Sequence, residues 1–103
     1  MQRQIAQELK GEEEEHTQII LDEILDNIRE AYRLGIIHGD LSEFNVMVDE
    51  KQCWLIDWPQ WVEIAHPNAG EILARDIGNI LQYFKRKYGI EYAFEEALAR
   101  VVE

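Results

Sequence analysis

The stretch His38-Gly39-Asp40-Leu41-Ser42-Glu43-Phe44-Asn45, completed further on by Ile56-Asp57-Trp58-Pro59-Gln60, decides how this chain is read. Two carboxylates and a carboxamide, Asp40, Asp57 and Asn45, fall at the ends of short apolar runs, where a polar trio serves no packing purpose. Val46-Met47-Val48 and Cys53-Trp54-Leu55-Ile56 are those runs, and the polar segment Asp49-Glu50-Lys51-Gln52 between them predicts a β-hairpin that turns near Glu50 and Lys51. Opposed residues of an antiparallel pair have a constant sum of positions, here about 101 or 102, so Asn45 faces Ile56 or Asp57. Directly opposed side chains stand roughly 5 Å apart at Cβ, which brings the Asn45 amide and the Asp57 carboxylate to one end of the ribbon. Oxygen ligands without sulfur or imidazole suit Mg²⁺, which takes one or two protein ligands and completes its shell with water and phosphate.

Asp40 and Asn45 are separated by four residues, the D-x-x-x-x-N spacing of a kinase catalytic loop. With His38-Gly39-Asp40 before it and Ile56-Asp57 after it, the chain resembles the C-terminal catalytic lobe of an atypical kinase. It is most similar to the RIO family, and within it to the subfamily whose full-length members begin with a winged-helix domain. Gly39 in place of the usual Arg, Trp58-Pro59-Gln60 after the metal aspartate, and Arg75-Asp76 carry that resemblance, which extends from about Leu21 to the C-terminus.

The resemblance implies an α+β fold, a mainly helical kinase-like C-lobe with a small hairpin carrying the metal-binding residues. It implies ATP and Mg²⁺ or Mn²⁺ as cofactors, serine/threonine kinase or ATPase activity, and a cytoplasmic role in maturation of the small ribosomal subunit. Asp40 would orient the attacking hydroxyl or water and accept its proton, while Asn45 and Asp57 would hold the metal and Ser42 would touch phosphate or metal. Asp57 would also accept the phosphoryl group as an acyl phosphate. His38 reads as structural, its ring packed behind the loop with one nitrogen on the backbone, and Asp76 would accept hydrogen bonds from that loop.

At 103 residues the chain has room for one small domain and one kinase lobe. It has no G-x-G-x-x-G, and none of Lys10, Lys51, Lys85 and Lys87 sits in a V-A-I-K-like strand, so the expectation is a fragment or a chain whose N-terminal lobe comes from elsewhere. Residues 1–16 are then an extension or inter-lobe remnant, and residues 17–103 the lobe. Apolar surface left by an absent lobe would favour homodimerisation or domain exchange. The net charge of −11 opposes direct nucleic-acid binding, and a lone cysteine gives no disulfide framework, which makes an intracellular setting the default. No apolar run reaches the length of a membrane span.

Along the chain, Ile5 and Leu9 give residues 1–10 some helical character, and Gly11 with the run 12–15 leads to an amphipathic helix from Thr17 to Leu34, stopped by Gly35. Asn68 and Glu71 read as an N-cap and capping-box partner for a second helix that runs to Tyr88 and ends at Gly89, with Lys85-Arg86-Lys87 in its last turn. Asp76 lies mid-helix, a poor position for aspartate unless a tertiary partner holds it. A third helix covers residues 93–102. Trp54 is expected in the core, with Trp58 and Trp61 over the metal loop. About a dozen residues separate Asp57 from the second helix, too few for the activation segment on which kinases lay a peptide, so phosphorylation in trans is not expected. Two other readings stay open: a small-molecule phosphotransferase of the aminoglycoside or choline kinase type, which shares H-G-D-x-x-x-x-N and I-D-W, and a non-catalytic acidic interaction module.

Overall fold

The structure, a computed structural model, describes residues 3–5, 14–49 and 52–103. Its elements follow the order β1 (Arg3–Gln4), α1 (Glu14–Arg33), β2 (Ile36–Ile37), β3 (Val46–Asp49), β4 (Gln52–Leu55), β5 (Val62–Glu63), α2 (Ala69–Tyr88) and α3 (Phe94–Val102). The result is a small α+β fold, mainly helical with two small sheets.

α1 begins three residues earlier than its apolar period requires, at Glu14, because acidic residues favour a helix N-terminus. Its stripe of Ile20, Leu21, Ile24, Leu25 and Ile28 is buried, and each such side chain contributes about 1.5–3 kcal/mol relative to leaving it in water. Gly35, at φ +90, turns the chain out of the helix. α2 buries Leu73, Ile77, Ile80 and Phe84 against the same core, and Gly89 at φ +70 closes it, with its amide donating to the carbonyl of Lys85. α3 packs on α1 and α2, and Arg100 pins it through a forked bond to Asp26 at 2.9 and 3.2 Å. That pairing holds the Arg100 guanidinium above its usual range.

The hairpin register is Val46↔Leu55, Met47↔Trp54, Val48↔Cys53 and Asp49↔Gln52, which are position sums within the expected pair. The turn at 50–51 lies outside the described residues. Val48 and Cys53 face inward, and the Cys53 thiol donates to the carbonyl of Ile20 at 3.7 Å. Strand period then puts Trp54 on the opposite face, where it is 38 % exposed; the expectation that it sits in the core fails for that reason.

Three local expectations are revised. Residues 3–4 are strand and not helix: β1 pairs antiparallel with β3 (Arg3↔Val48, Gln4↔Met47), while Ile5, fully buried, has 3₁₀ backbone; Leu9 and Gly11 lie outside the described residues. The segment after Pro59, expected as plain loop, contains β5, paired with β2 as Ile36↔Glu63 and Ile37↔Val62. Asn68 makes no side-chain cap; its φ of −104° and ψ of 17° are far from the extended backbone a capping side chain needs, and its amide donates instead to His66 Nδ1 at 3.0 Å. Among the described residues no helix is long and apolar enough to cross a membrane.

Candidate functional site

The loop between β2 and β3 is fixed from two directions. From the hairpin side, His38 is buried and its Nε2 lies 2.7 Å from the carbonyl oxygen of Ile56, while its Nδ1 accepts the Asp40 amide at 3.2 Å. The Nε2–H tautomer satisfies both bonds. The Trp58 ring lies against the imidazole, with centroids 4.7 Å apart and planes tilted by 48°, and its own Nε1 donates to Leu55 O at 2.9 Å. One histidine therefore links the segment bearing Asp40 to the segment bearing Asp57.

From the other side, α2 reaches up into the loop. Asp76 is buried and accepts two backbone amides, Gly39 N on Oδ2 at 2.8 Å and Leu41 N on Oδ1 at 3.0 Å. Arg75 donates from Nη2 to Gly39 O at 2.6 Å, and Asn79 donates from Nδ2 to Leu41 O at 3.1 Å. Positions 75, 76 and 79 share one helical face, so a single turn of α2 fixes both backbone polar groups of Gly39 and of Leu41. Gly39 sits at φ +91, and a Cβ there would overlap the carbonyl of Gln60, so the loop and the segment after Asp57 touch backbone to backbone.

Ser42 caps the short 3₁₀ turn Glu43–Asn45: its Oγ accepts the Phe44 amide at 3.2 Å and donates to Asn45 Oδ1 at 2.8 Å. The Ser42 hydroxyl is thus engaged inside the loop and sets the plane of the Asn45 amide. Asn45 is buried and stands opposite Ile56, whose amide donates to its carbonyl at 2.8 Å, which leaves Asp57 as the next residue out. Asp57 adopts φ +58, a left-handed conformation that aspartate tolerates better than most residues. Asp40 and Asp57 are both exposed, and among the described residues neither carboxylate is taken up by a hydrogen bond or ion pair.

The donor set fits a hard divalent cation. Asn45 Oδ1 keeps a second lone pair beside the Ser42 bond, and Asp57 offers two carboxylate oxygens; this is an all-oxygen pair of the kind Mg²⁺ takes. Of the tryptophans expected over this loop, Trp58 packs on His38, while Trp61 is exposed and its amide donates to Trp58 O at 2.9 Å. Arg75, Asn79 and Gln60 were missed as loop contacts. The signal that could have found the first two is a run of polar residues, 75, 76 and 79, on a helix face otherwise used for packing.

Comparison with known proteins shows the family of the chain. The family model described as "RIO domain" matches residues 2–97. The RIO-type serine/threonine-protein kinase Rio2 of Methanocaldococcus jannaschii is 51 % identical over 69 residues, covering 66 % of this chain and 25 % of that protein. Rio1 of Thermoplasma acidophilum is 43 % identical over 72 residues, covering 70 % of this chain and 38 % of its own length. The chain thus spans about a quarter to two fifths of these relatives. Among solved structures, the Rio2 kinase–ADP/Mg²⁺–phosphoaspartate complex from Chaetomium thermophilum superposes with a TM-score of 0.67 at 26 % identity, covering 90 % of this chain and 32 % of that one. On the domain match and on relatives that carry the name of serine/threonine kinases, this chain belongs to the RIO family.

Proposed function

We propose that residues 17–103 are the C-terminal catalytic lobe of a RIO-type serine/threonine kinase or ATPase of the winged-helix-bearing subfamily, with ATP and Mg²⁺ or Mn²⁺ as cofactors. The observation that carries this reading is the joining of two segments: His38 ties the Asp40 loop to Ile56, while Asn45 stands opposite that same residue and Asp57 follows it. In the proposed role Asn45 and Asp57 hold the cation. The cation would supply charge neutralisation at the nucleotide phosphates.

Asp40 supplies position more than basicity. Its exposed carboxylate, carried on a loop fixed at both flanking residues, orients the attacking oxygen and takes its proton as the bond to the γ-phosphorus forms and the bond to the leaving oxygen breaks. Asp57 is the proposed phosphoryl acceptor as well, in line with the phosphoaspartate named for the Chaetomium thermophilum complex. Its left-handed backbone, which costs about 1–3 kcal/mol elsewhere in proteins, is a feature that structures retain at functional sites. Ser42 contributes by orienting the Asn45 amide. A complementary lobe carrying a Gly-rich loop and a lysine would complete the nucleotide site. The wider role follows the family: a cytoplasmic protein acting on the pre-ribosomal small subunit, without membrane or direct nucleic-acid contact by this lobe, and with homodimerisation through apolar surface that the other lobe would cover.

An NMR titration tests this reading. Mg²⁺ with ATP should shift the amides of Asp40, Asn45 and Asp57 in the wild-type chain, and Asp57→Ala should abolish the response. A wild-type spectrum that ignores Mg²⁺ and ATP would leave a non-catalytic acidic interaction module.

A further inference from the structure

We propose that Arg75 is a positioning residue for Asp40, fixing the backbone torsion that aims its carboxylate. The inference rests on the reading of Asp40, Asn45 and Asp57 as a phosphoryl-transfer site, and it begins from the two peptide planes on either side of Asp40.

The orientation of a residue is set by its φ and ψ, that is, by the peptide planes before and after it. The plane after Asp40 ends in the Leu41 amide, which Asp76 Oδ1 holds at 3.0 Å. The plane before it carries the Gly39 carbonyl and the Asp40 amide. Asp76 touches neither of these groups, because its other oxygen binds the Gly39 amide, which belongs to the preceding plane. What holds the Gly39–Asp40 plane is Arg75 at the carbonyl end, 2.6 Å, and His38 at the amide end, 3.2 Å. The Arg75 bond is the shorter and carries a full charge, so it is the stronger restraint.

Gly39 makes that restraint necessary. The residue has no Cβ, because one would collide with Gln60, and a glycine backbone is the freest in the chain. The position that lets the two segments meet closely is therefore the position that would let the next plane swing. Arg75 removes that freedom from outside. Asn79, bound to Leu41 O at 3.1 Å, restrains the plane after Leu41, one step further from Asp40, and serves as the control. A carboxylate displaced by about 1 Å costs on the order of 10²-fold in a reaction that depends on alignment, so the restraint matters most where Asp40 acts by position.

The test uses the whole chain, isotope-labelled, as Arg75→Met, which keeps the aliphatic stem, and as Arg75→Lys, which restores a cationic donor. The three-bond amide–Hα coupling of Asp40 reports its φ directly and needs no ligand. It should move toward a rotationally averaged value in Arg75→Met, return toward wild type in Arg75→Lys, and stay unchanged in Asn79→Ala. With Mn²⁺ and ADP added, paramagnetic broadening at Asn45 and Asp57 should persist in Arg75→Met, so that the Asp40 coupling changes while the cation site stays intact. Simple destabilisation would not separate these signals. An Asp40 coupling that survives Arg75→Met unaltered would overturn the proposal. Absence of Mn²⁺ broadening at Asn45 and Asp57 in the wild type would instead sink the phosphoryl-transfer reading, with the metal-free coupling still deciding whether Arg75 sets Asp40.

Discussion

Asp76 and Asp57 are the same residue type used in opposite ways on the two sides of one loop. Asp76 is buried, 1 % exposed, and both of its oxygens are taken by backbone amides, so its charge is consumed in holding structure. Asp57 is exposed, bends the backbone into a left-handed conformation, and leaves its oxygens facing outward. Asp40 sits between them, bound through its backbone and open at its side chain. A buried carboxylate with two amide partners cannot take a ligand without giving up stability, whereas an exposed one supported by its neighbours can. The division between framework and chemistry is thus drawn by burial.

The sharpest way to break this contrast is to make changes at Asp76. Asp76→Ala leaves the Gly39 and Leu41 amides without their acceptor in a buried place. At about 1–3 kcal/mol for each orphaned donor, the loss should total about 4 kcal/mol in urea denaturation. Asp76→Asn keeps one acceptor and should lose about half of that. Since a domain of this kind holds about 5–15 kcal/mol in total, the alanine variant would be near the edge of folding. Loss below 1 kcal/mol would mean that the loop holds itself and that Asp76 is no framework residue.

Gly39→Ala comes next. Its Cβ would meet the Gln60 carbonyl, and the φ of +91 adds about 1–2 kcal/mol of its own, so about 3 kcal/mol should be lost in the same measurement. If the alanine were tolerated, the loop and the Asp57 segment would not be packed against each other at Gly39, and they would be joined through His38 and the Asn45–Ile56 backbone bond.

How far the sequence reveals this depends on whether a feature leaves a periodic trace. α1 and α2 were legible because their buried positions recur at three and four, and the hairpin register because its two runs alternate around a polar turn. Asp76 was legible as an aspartate in need of a partner, since the middle of a helix offers it none. The two-residue strands β1, β2 and β5 are too short to show any period: β1 forms on the edge that β3 presents, and β2 and β5 pair with each other once the loop brings residues 36–37 and 62–63 together. Trp54 was misplaced because its size suggested burial, while strand alternation and the α1-facing Cys53 put it outside. The Arg75 bond joins residues 36 positions apart, and nothing in local pattern marks a guanidinium that reaches a distant carbonyl. The left-handed turn at Asp57 likewise follows from tertiary placement, with the identity of the residue only permitting it.

The core side of the hairpin gives a smaller effect and a control for global unfolding. Burial, followed by the nearby Glu23 charge, pushes the Cys53 thiol up from 9.0 to about 12. The folded chain keeps this proton where the unfolded chain releases it, so the contribution is complete below pH 9 and is lost as pH rises toward 12. Between pH 8 and 10 the loss should be about 1 kcal/mol, and Cys53→Ala should show a flatter pH dependence over that range. Tyr83, raised chiefly by its burial and then by its hydrogen bond with Tyr88, steepens the decline above pH 10. Equal slopes in the two proteins would show that the thiol is already exposed in the native state, and with it the inner face of the hairpin.

The smallest change in stability belongs to the residue with the largest proposed role. Asp57→Asn preserves size and tolerance of the left-handed backbone, and it removes a carboxylate that holds nothing among the described residues, so stability should stay within about 0.5 kcal/mol of wild type. The chemical consequence runs the other way: without the negative charge the pair of Asn45 and Asp57 is a poor cation site, and the Mg²⁺- and ATP-dependent shifts should vanish. One substitution type, aspartate to asparagine, would then cost stability at position 76 and ligand response at position 57. A variant at 57 that lost both together would return Asp57 to the framework and erase the distinction.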